Sequence, residues 1–171
     1  MAKLIRNRSV EADRWQRLEL GAGGALPPVP ADGDVIVPLA LWLARRDALA
    51  ARSGKTGVWL ESKDGPEAIV ADLARLPLVA IDFPSIGDGR GLTTARLLRE
   101  RHGYTGEIRA IGAVIVDLLL GMQRCGFDAY ALRDDQDMDD ALRAFDELAD
   151  TYQASAVEQQ PLFRRRIPGA S

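Results

Sequence analysis

Between residues 34 and 153 the chain alternates five times between a short apolar run and a longer amphipathic run. Short, continuously apolar runs are typical of buried strands, and the longer runs repeat their apolar residues with a helical period. Such alternation requires crossover connections and therefore predicts a parallel sheet. The predicted strands are 34–38, 56–62, 78–84, 107–112 and 127–133, and the predicted helices are 39–53, 65–76, 92–103, 113–126 and 138–153.

This pattern predicts an α/β fold, namely a mainly parallel five-stranded sheet in a (βα)5 sandwich. We expect three parts: a small N-terminal hairpin with a Gly/Pro-rich linker (1–33), the (βα)5 domain (34–153) and a basic C-terminal tail (154–171). Asp82 and Arg109 lie inside two consecutive predicted strands, where an open sheet would be apolar. If those strands are neighbours, the two charges could pair on one face, which favours the alternative of a partial TIM-type (βα) barrel. Both architectures stay open.

Composition bounds the class of protein. The 171 residues are 47% hydrophobic and 27% charged with a net charge of −3, as in globular proteins, and this balance does not favour nucleic acid or an anionic membrane as a partner. The longest apolar segment is interrupted by Asp117, and the N-terminus lacks the apolar core of a signal peptide. Cys125 is the single cysteine, which fits a reducing compartment. We expect a cytoplasmic protein, and an exposed sheet edge would allow a homodimer.

The glycine-rich segment "SIGDGRG" (85–91) follows the third predicted strand and opens a helix. Ligands of α/β proteins bind at the carboxyl ends of strands, where glycine N–H groups and a helix N-terminus can approach an anion. The segment lacks the last glycine of a dinucleotide fingerprint and the lysine of a Walker loop. It therefore predicts either a site for sulfite, sulfate, phosphate or a carboxylate, or a structural turn. The candidate anion-binding residues are Gly87, Asp88, Gly89, Arg90, Gly91, Thr93 and Arg96.

Other reactive side chains are sparse. His102 is the only histidine, so a zinc site of the His/Cys kind is not predicted, and we expect this residue to be an exposed helix cap. Cys125 ends a predicted helix and is interpreted as a structural thiol. The acidic run 134–140 is interpreted as a solvated helix start. No metal is predicted, and the cofactor is unknown.

Residues 83–132 carry a longer pattern, with "FPSIGDGRG" (83–91), "GYTGEIRAIG" (103–112) and "RCGFDAY" (124–130). This stretch resembles the DUF934 family, small bacterial proteins described as probable oxidoreductases of sulfite reduction. The resemblance implies an accessory protein of assimilatory sulfite reduction that binds sulfite or docks on sulfite reductase. The alternatives are an oxidoreductase with a bound electron carrier and a non-catalytic interaction protein, so whether the chain is an enzyme stays open. The polar residues that match the family pattern are Asp88, Arg90, Arg96, Arg99, Tyr104, Glu107, Arg109, Asp117 and Arg124.

Four of the candidates support the predicted anion site rather than form it: Asp82, Tyr104, Arg109 and Asp117. The chain departs from the family pattern at Leu92-Thr93, where the pattern has Tyr-Ser, and at Ala113 and Leu118, where it has an acid and an amide. These departures weaken any proton-transfer role at residues 113–118.

Overall fold

The computed structural model describes residues 3–145 and 155–156. The strands are β1 (Lys3–Arg6), β2 (Ser9–Ala12), β3 (Gln16–Arg17), β4 (Val35–Pro38), β5 (Thr56–Leu60), β6 (Leu78–Phe83), β7 (Glu107–Gly112) and β8 (Ala129–Tyr130). The α-helices are α1 (Leu39–Ala50), α2 (Arg90–Glu100), α3 (Leu119–Arg124) and α4 (Met138–Ala144). Short 3-10 helices cover Ala22–Gly24, Pro66–Ala68, Val70–Arg75 and Val116–Leu118. Within the described residues, no helix is both long and apolar enough to cross a membrane.

All eight strands form one sheet in the order β2-β1-β8-β7-β6-β5-β4-β3. Strands β3 to β8 run parallel to one another, whereas β1 is antiparallel to both β8 and β2. The fold is therefore α/β, but the prediction of a mainly parallel five-stranded sheet was wrong. The N-terminal hairpin exists. It joins one edge of the sheet through its first strand, β1, and β3 joins the other edge. The sequence did not show this because these edge strands are short and polar.

The sheet curls into a half-barrel because its opposite edges are joined by a short segment, residues 13–15, which we call the link. Strand β2 ends at Ala12 on one edge, and β3 begins at Gln16 on the other. Four steps of the chain span at most about 15 Å. A flat sheet of this many strands would be roughly 33 Å wide. The barrel-like alternative, rather than the sandwich, therefore describes this sheet.

Helices cover the convex face of the half-barrel. Strands β4 to β8 are neighbours in chain order, and right-handed crossovers between consecutive neighbours place the helices on one side of a sheet. Side chains from α1, α2, α3 and α4 accordingly belong to one apolar cluster with alternate residues of the strands, including Val37, Val58, Val79 and Ile81. The intervening residues of each strand face the concave interior. A smaller cluster there contains Ile36, Leu78, Ala80 and Ile111, with Trp15, Trp59 and Ala131 packed against it.

Two predicted helices are shorter or of a different kind in the structure. The helix predicted at 65–76 is a pair of 3-10 helices that meet at Ile69, whose φ of −122° is not helical. The β-branched pair Ile69 and Val70 has low helix propensity at that junction. The helix predicted at 113–126 becomes α-helical only at Leu119, because the Ala113 N–H donates to the Phe83 carbonyl and stays bound to the end of β6.

The last predicted elements agree only in part with the structure. The strand predicted at 127–133 is reduced to β8, since the Asp128 carboxylate instead accepts the Ile108 N–H at 2.8 Å. The final helix, predicted at 138–153, is described as α4 up to Ala144, and its remainder from 146 lies outside the described residues. Most of the predicted tail also lies outside them.

A chain of ion pairs lies across the concave face near the link. Glu11 pairs with Arg6 at 2.5 Å, and Arg6 pairs with Glu107 at 2.8 Å. Glu107 also accepts from Arg109 Nε at 2.7 Å, and Arg109 Nη1 donates to both oxygens of Asp13 at 2.9 and 3.1 Å. Arg109 is only 1% exposed. The network connects β2, β1 and β7 to the link between the two edges.

We predict that Asp13→Ala lowers the free energy of unfolding by about 2–3 kcal/mol, because the buried Arg109 guanidinium then loses the carboxylate that accepts from its Nη1. Urea denaturation measures this change. Asp47→Ala is the matched control, since Asp47 forms an exposed ion pair with Arg75 at 3.5 Å and such pairs contribute at most about 1 kcal/mol. Equal losses in the two variants would contradict a structural role for the Asp13 pair.

Candidate functional site

A cavity of about 460 Å³ opens at the carboxyl ends of the strands, on the concave side of the half-barrel. This is the end at which ligands bind in barrels built from βα units. We call this cavity the mouth. Its lining residues come from the link, the edges of the sheet and the segment after β8: Asp13, Trp15, Arg17, Ile36, Arg109, Ile111, Gly112, Ala131, Leu132, Arg133 and Asp134.

Arg109 is the most deeply buried charged side chain of the mouth. Its Nε and Nη1 atoms are bound by Glu107 and Asp13, but its buried Nη2 has no hydrogen-bond partner among the described residues. An unsatisfied buried donor costs about 1–3 kcal/mol, and more when it is charged. Native structures retain such a group when strain, a ligand or an ordered water explains it. Arg109 thus combines an incompletely paired guanidinium with a place in the lining of the mouth.

Two further guanidinium groups line the mouth. Arg17 Nε pairs with Glu19 at 2.5 Å, and Arg133 binds Asp135 through Nε and Nη2, both at 2.6 Å. The bond to Arg133 lowers the pKa of Asp135 to about 2. A guanidinium has five N–H donors in a fixed plane, so an acid that uses one or two of them orients the group and leaves others for a ligand.

Asp82 lies at the carboxyl end of β6, next to the mouth. Its Oδ1 atom is so close to Gly112 that a Cβ placed there would meet it at 2.6 Å, and Gly112 has a φ of +87° that favours glycine. Burial raises the pKa of Asp82 above its ordinary value, and the nearby Arg17 acts in the opposite direction. A carboxyl in this position is easier to protonate than one in water.

Asp82 and Arg109 share the concave face of neighbouring strands, as the sequence suggested. Register pairs Arg109 with Ala80 and Asp82 with Ile111, which separates the two charges along the strands. Arg109 forms its ion pairs with Glu107 and Asp13 instead. The predicted pairing of Asp82 with Arg109 was therefore wrong, because the link between the sheet edges brings Asp13 over β7.

The glycine-rich loop lies between β6 and α2, and its two charged residues bind each other. Asp88 Oδ1 accepts from the Arg90 backbone N–H at 3.2 Å and from Arg90 Nε at 2.9 Å, while Oδ2 accepts from Nη2 at 2.6 Å. Arg90 Nη2 also donates to Ser62 Oγ at 2.9 Å. The bonds from Arg90 hold the pKa of Asp88 well below its usual range. Anion binding by this loop stays a prediction.

The three glycines of the loop differ in their surroundings. A Cβ at Gly91 would meet Ile81 Cγ2 and Phe83 Cζ at 2.8 Å, so glycine lets α2 pack closely on β6. A Cβ at Gly87 or Gly89 would have nothing within 4 Å. Gly91 is thus explained by packing, whereas Gly87 and Gly89 face open space.

The remaining candidates are dispersed over the fold. Thr93 is exposed in the first turn of α2, and Arg96 Nε binds both oxygens of Glu100 at 2.9 Å on the same helix. Tyr104 donates to the Leu76 carbonyl at 2.8 Å. It lies before β7, near the amino ends of the strands, whereas the glycine-rich loop lies at their carboxyl ends. Asp117 lines a separate acidic groove beside α4. The structure brings Asp82 and Arg109 to one end of the barrel but places Tyr104 and Asp117 elsewhere.

Sequence reasoning did not single out Asp13, Trp15, Arg17 or Arg133, which line the mouth. Arg133 ends the strand predicted at 127–133, and its place at a carboxyl end was a usable signal. Trp15 and Arg17 belong to the N-terminal segment, and no periodicity connects that segment with the other sheet edge. Among residues 3–145 and 155–156, no group of three or more His, Cys, Asp or Glu side chains is arranged to hold a metal ion.

We predict that Asp82→Asn raises the free energy of unfolding at pH 7 and that this gain fades as the pH falls. A carboxyl whose pKa is raised on folding destabilises the native state when ionised, and this cost disappears below the unfolded-state pKa of about 4. Urea denaturation at pH 7 and at roughly pH 3.5 measures the difference. A gain of the same size at both pH values would contradict the electrostatic origin.

We also predict that Gly91→Ala lowers the free energy of unfolding by about 1–3 kcal/mol, because the added methyl overpacks the contact between α2 and β6. Gly87→Ala is the control and is expected to change it by less than about 0.5 kcal/mol. Thermal and chemical unfolding of both variants give the values. A harmless Gly91→Ala would show that α2 has more room than the structure indicates.

Neither the comparison with curated proteins nor that with solved structures gives a match for this chain. The family model described as "Bacterial protein of unknown function (DUF934)" matches residues 57–163. The match runs from β5 through α4 and includes the glycine-rich loop and two lining segments of the mouth, 109–112 and 131–134. The chain belongs to the DUF934 family.

Proposed function

We propose that this protein is an accessory component of assimilatory sulfite reduction that binds a small oxyanion at the mouth of its half-barrel. The observation that carries the proposal is Arg109, whose buried Nη2 has no partner within the described part of the chain and which lines the cavity. The setting of sulfite reduction comes from the resemblance over residues 83–132. Docking on sulfite reductase is part of the same proposal.

The mouth is a better anion site than the glycine-rich loop. Arg90 is 63% exposed, and Asp88 and Ser62 already accept from it. An anion at the loop would have to compete with a carboxylate at 2.6 Å and with water. At the mouth, an anion would instead supply an acceptor to a donor that the protein has already removed from water, so the cost of desolvation on the protein side is already incurred.

The arginines of the mouth would bind an oxyanion by hydrogen bonds rather than by net charge. Asp13 and Glu107 neutralise Arg109, and Glu19 and Asp135 are paired with the other two guanidinium groups. These acids keep the site from attracting anions over long distances, while the fixed planes of the guanidinium groups favour the several acceptors of an oxyanion. Binding should therefore depend on the shape of the anion head more than on ionic strength.

We predict that sulfite, sulfate or phosphate raises the unfolding temperature of the purified protein. An anion present at 100 times its dissociation constant and bound only to the native state stabilises by ~2.7 kcal/mol. Arg133→Gln should weaken binding of the anion by about 1.5–3 kcal/mol, the contribution of a hydrogen bond to a charged group, so that at the same anion concentration most of the stabilisation is lost. Arg75→Gln is the matched control, because Arg75 forms an exposed ion pair with Asp47 and does not line the mouth.

The same titration on Arg90→Gln tests whether the anion binds at the mouth or at the glycine-rich loop. Loss of the shift in Arg133→Gln with retention in Arg90→Gln supports the mouth, and the reverse result would move the site to the glycine-rich loop. No shift with any anion would overturn the binding proposal. A visible absorption band in the purified protein would instead favour an oxidoreductase with a bound electron carrier.

A further inference from the structure

We infer that the mouth binds an organic anion, a carboxylate or sulfonate head on a small apolar body, in preference to a bare inorganic ion. This inference rests on the proposed function, since it concerns the ligand class of the same cavity. It follows from the size of the mouth, from the chemistry of its walls and from the contacts by which Asp13 holds both Trp15 and Arg109.

The mouth is too large for an inorganic oxyanion alone. Its volume is about 460 Å³. A water molecule occupies about 30 Å³ of liquid, and a tetrahedral oxyanion is only a few times larger. Cavities of roughly 300–1,000 Å³ are the size of sites for small organic ligands. An inorganic ion bound at Arg109 would leave most of the mouth to water.

About half of the residues that line the mouth are apolar. Ile36, Ile111, Ala131 and Leu132 line it together with the ring of Trp15. Ile36 and Ile111 belong to the concave apolar cluster, against which Trp15 and Ala131 pack. Water in such a cavity contacts apolar surface that a ligand body could cover. Apolar walls with a few oriented polar groups are the usual composition of a small-molecule site.

Asp13 couples the aromatic wall to the donor for the anion head. Its Oδ1 atom accepts the Trp15 backbone N–H at 3.1 Å, and both of its oxygens accept from Arg109 Nη1. The two elements that a ligand would contact are thus fixed by the same carboxylate. A ligand with its head on Arg109 and its body against Trp15 would use groups that are already oriented, which lowers the entropic cost of binding.

A series of sulfonates with one head and growing bodies tests this inference. The probes are sulfite, sulfate, methanesulfonate, ethanesulfonate, propanesulfonate and benzenesulfonate, with dissociation constants measured by isothermal titration calorimetry on the full chain. Each added methylene should tighten binding about threefold to fourfold, the effect of moving one CH₂ group out of water. Benzenesulfonate should bind more tightly than methanesulfonate by at least about tenfold.

Variants separate the head from the body. Trp15→Leu should weaken benzenesulfonate about fivefold to tenfold and leave methanesulfonate nearly unchanged, whereas Arg133→Gln should weaken every sulfonate by a similar factor. Leu132→Ala provides a second wall variant in case Trp15→Leu does not fold. Leu43→Ala is the control, since Leu43 is exposed on α1 and does not line the mouth.

The outcomes distinguish this inference from the proposed function. Binding of sulfite or sulfate with no gain along the sulfonate series would overturn the organic-anion inference and leave the proposed function standing. Binding of the organic anions without sulfite would support the inference and remove sulfite as the ligand. Failure of every probe to bind would overturn both.

Discussion

The link between the two edges of the sheet determines the shape of this protein. Only residues 13–15 separate β2 from β3, although these strands occupy opposite edges of the sheet. A chain that short cannot cross a flat sheet of this width, so the sheet must curl and enclose an interior. Everything that makes the concave face different from an ordinary sheet surface follows from that constraint, including the presence of a buried guanidinium on β7.

The buried guanidinium of Arg109 carries a cost in free energy of desolvation. Transferring a guanidinium out of water is repaid only by paired acids and complete hydrogen bonding. Asp13 and Glu107 supply two of these contacts, and Glu107 continues through Arg6 to Glu11 on the neighbouring hairpin. Arg109 Nη2, which has no acceptor among the described residues, is therefore an incomplete part of an otherwise well-paired network. An apolar residue at this position would fill the interior at lower cost, so stability alone does not account for the arginine.

Sequence reasoning recovered the units of the fold better than their assembly. Strands β4, β5, β6 and β7 lie almost where alternation predicted them, because their burial on both faces produces continuous apolar runs. The curl was predicted only as an alternative, from Asp82 and Arg109, because it depends on pairing between β3 and β4 and between β1 and β8, and such short strands carry no periodic signal. For the same reason the sequence did not predict the mouth, because Trp15 and Arg17 come from the N-terminal segment that forms these short strands. Asp82 and Arg109 were identifiable only because charges within apolar strands stand out.

The glycine-rich loop shows why a distinctive motif need not be the site. Its Asp88 and Arg90 bind each other, and Gly91 removes a methyl group that would collide with Ile81 and Phe83. These contacts explain much of the pattern by the packing of α2 on β6 without a ligand. The mouth has no comparable motif, because its residues come from separate segments that are joined only by the curl. A site assembled by tertiary structure leaves its evidence in buried, incompletely paired groups such as Arg109, and the search for a ligand should therefore begin with that nitrogen.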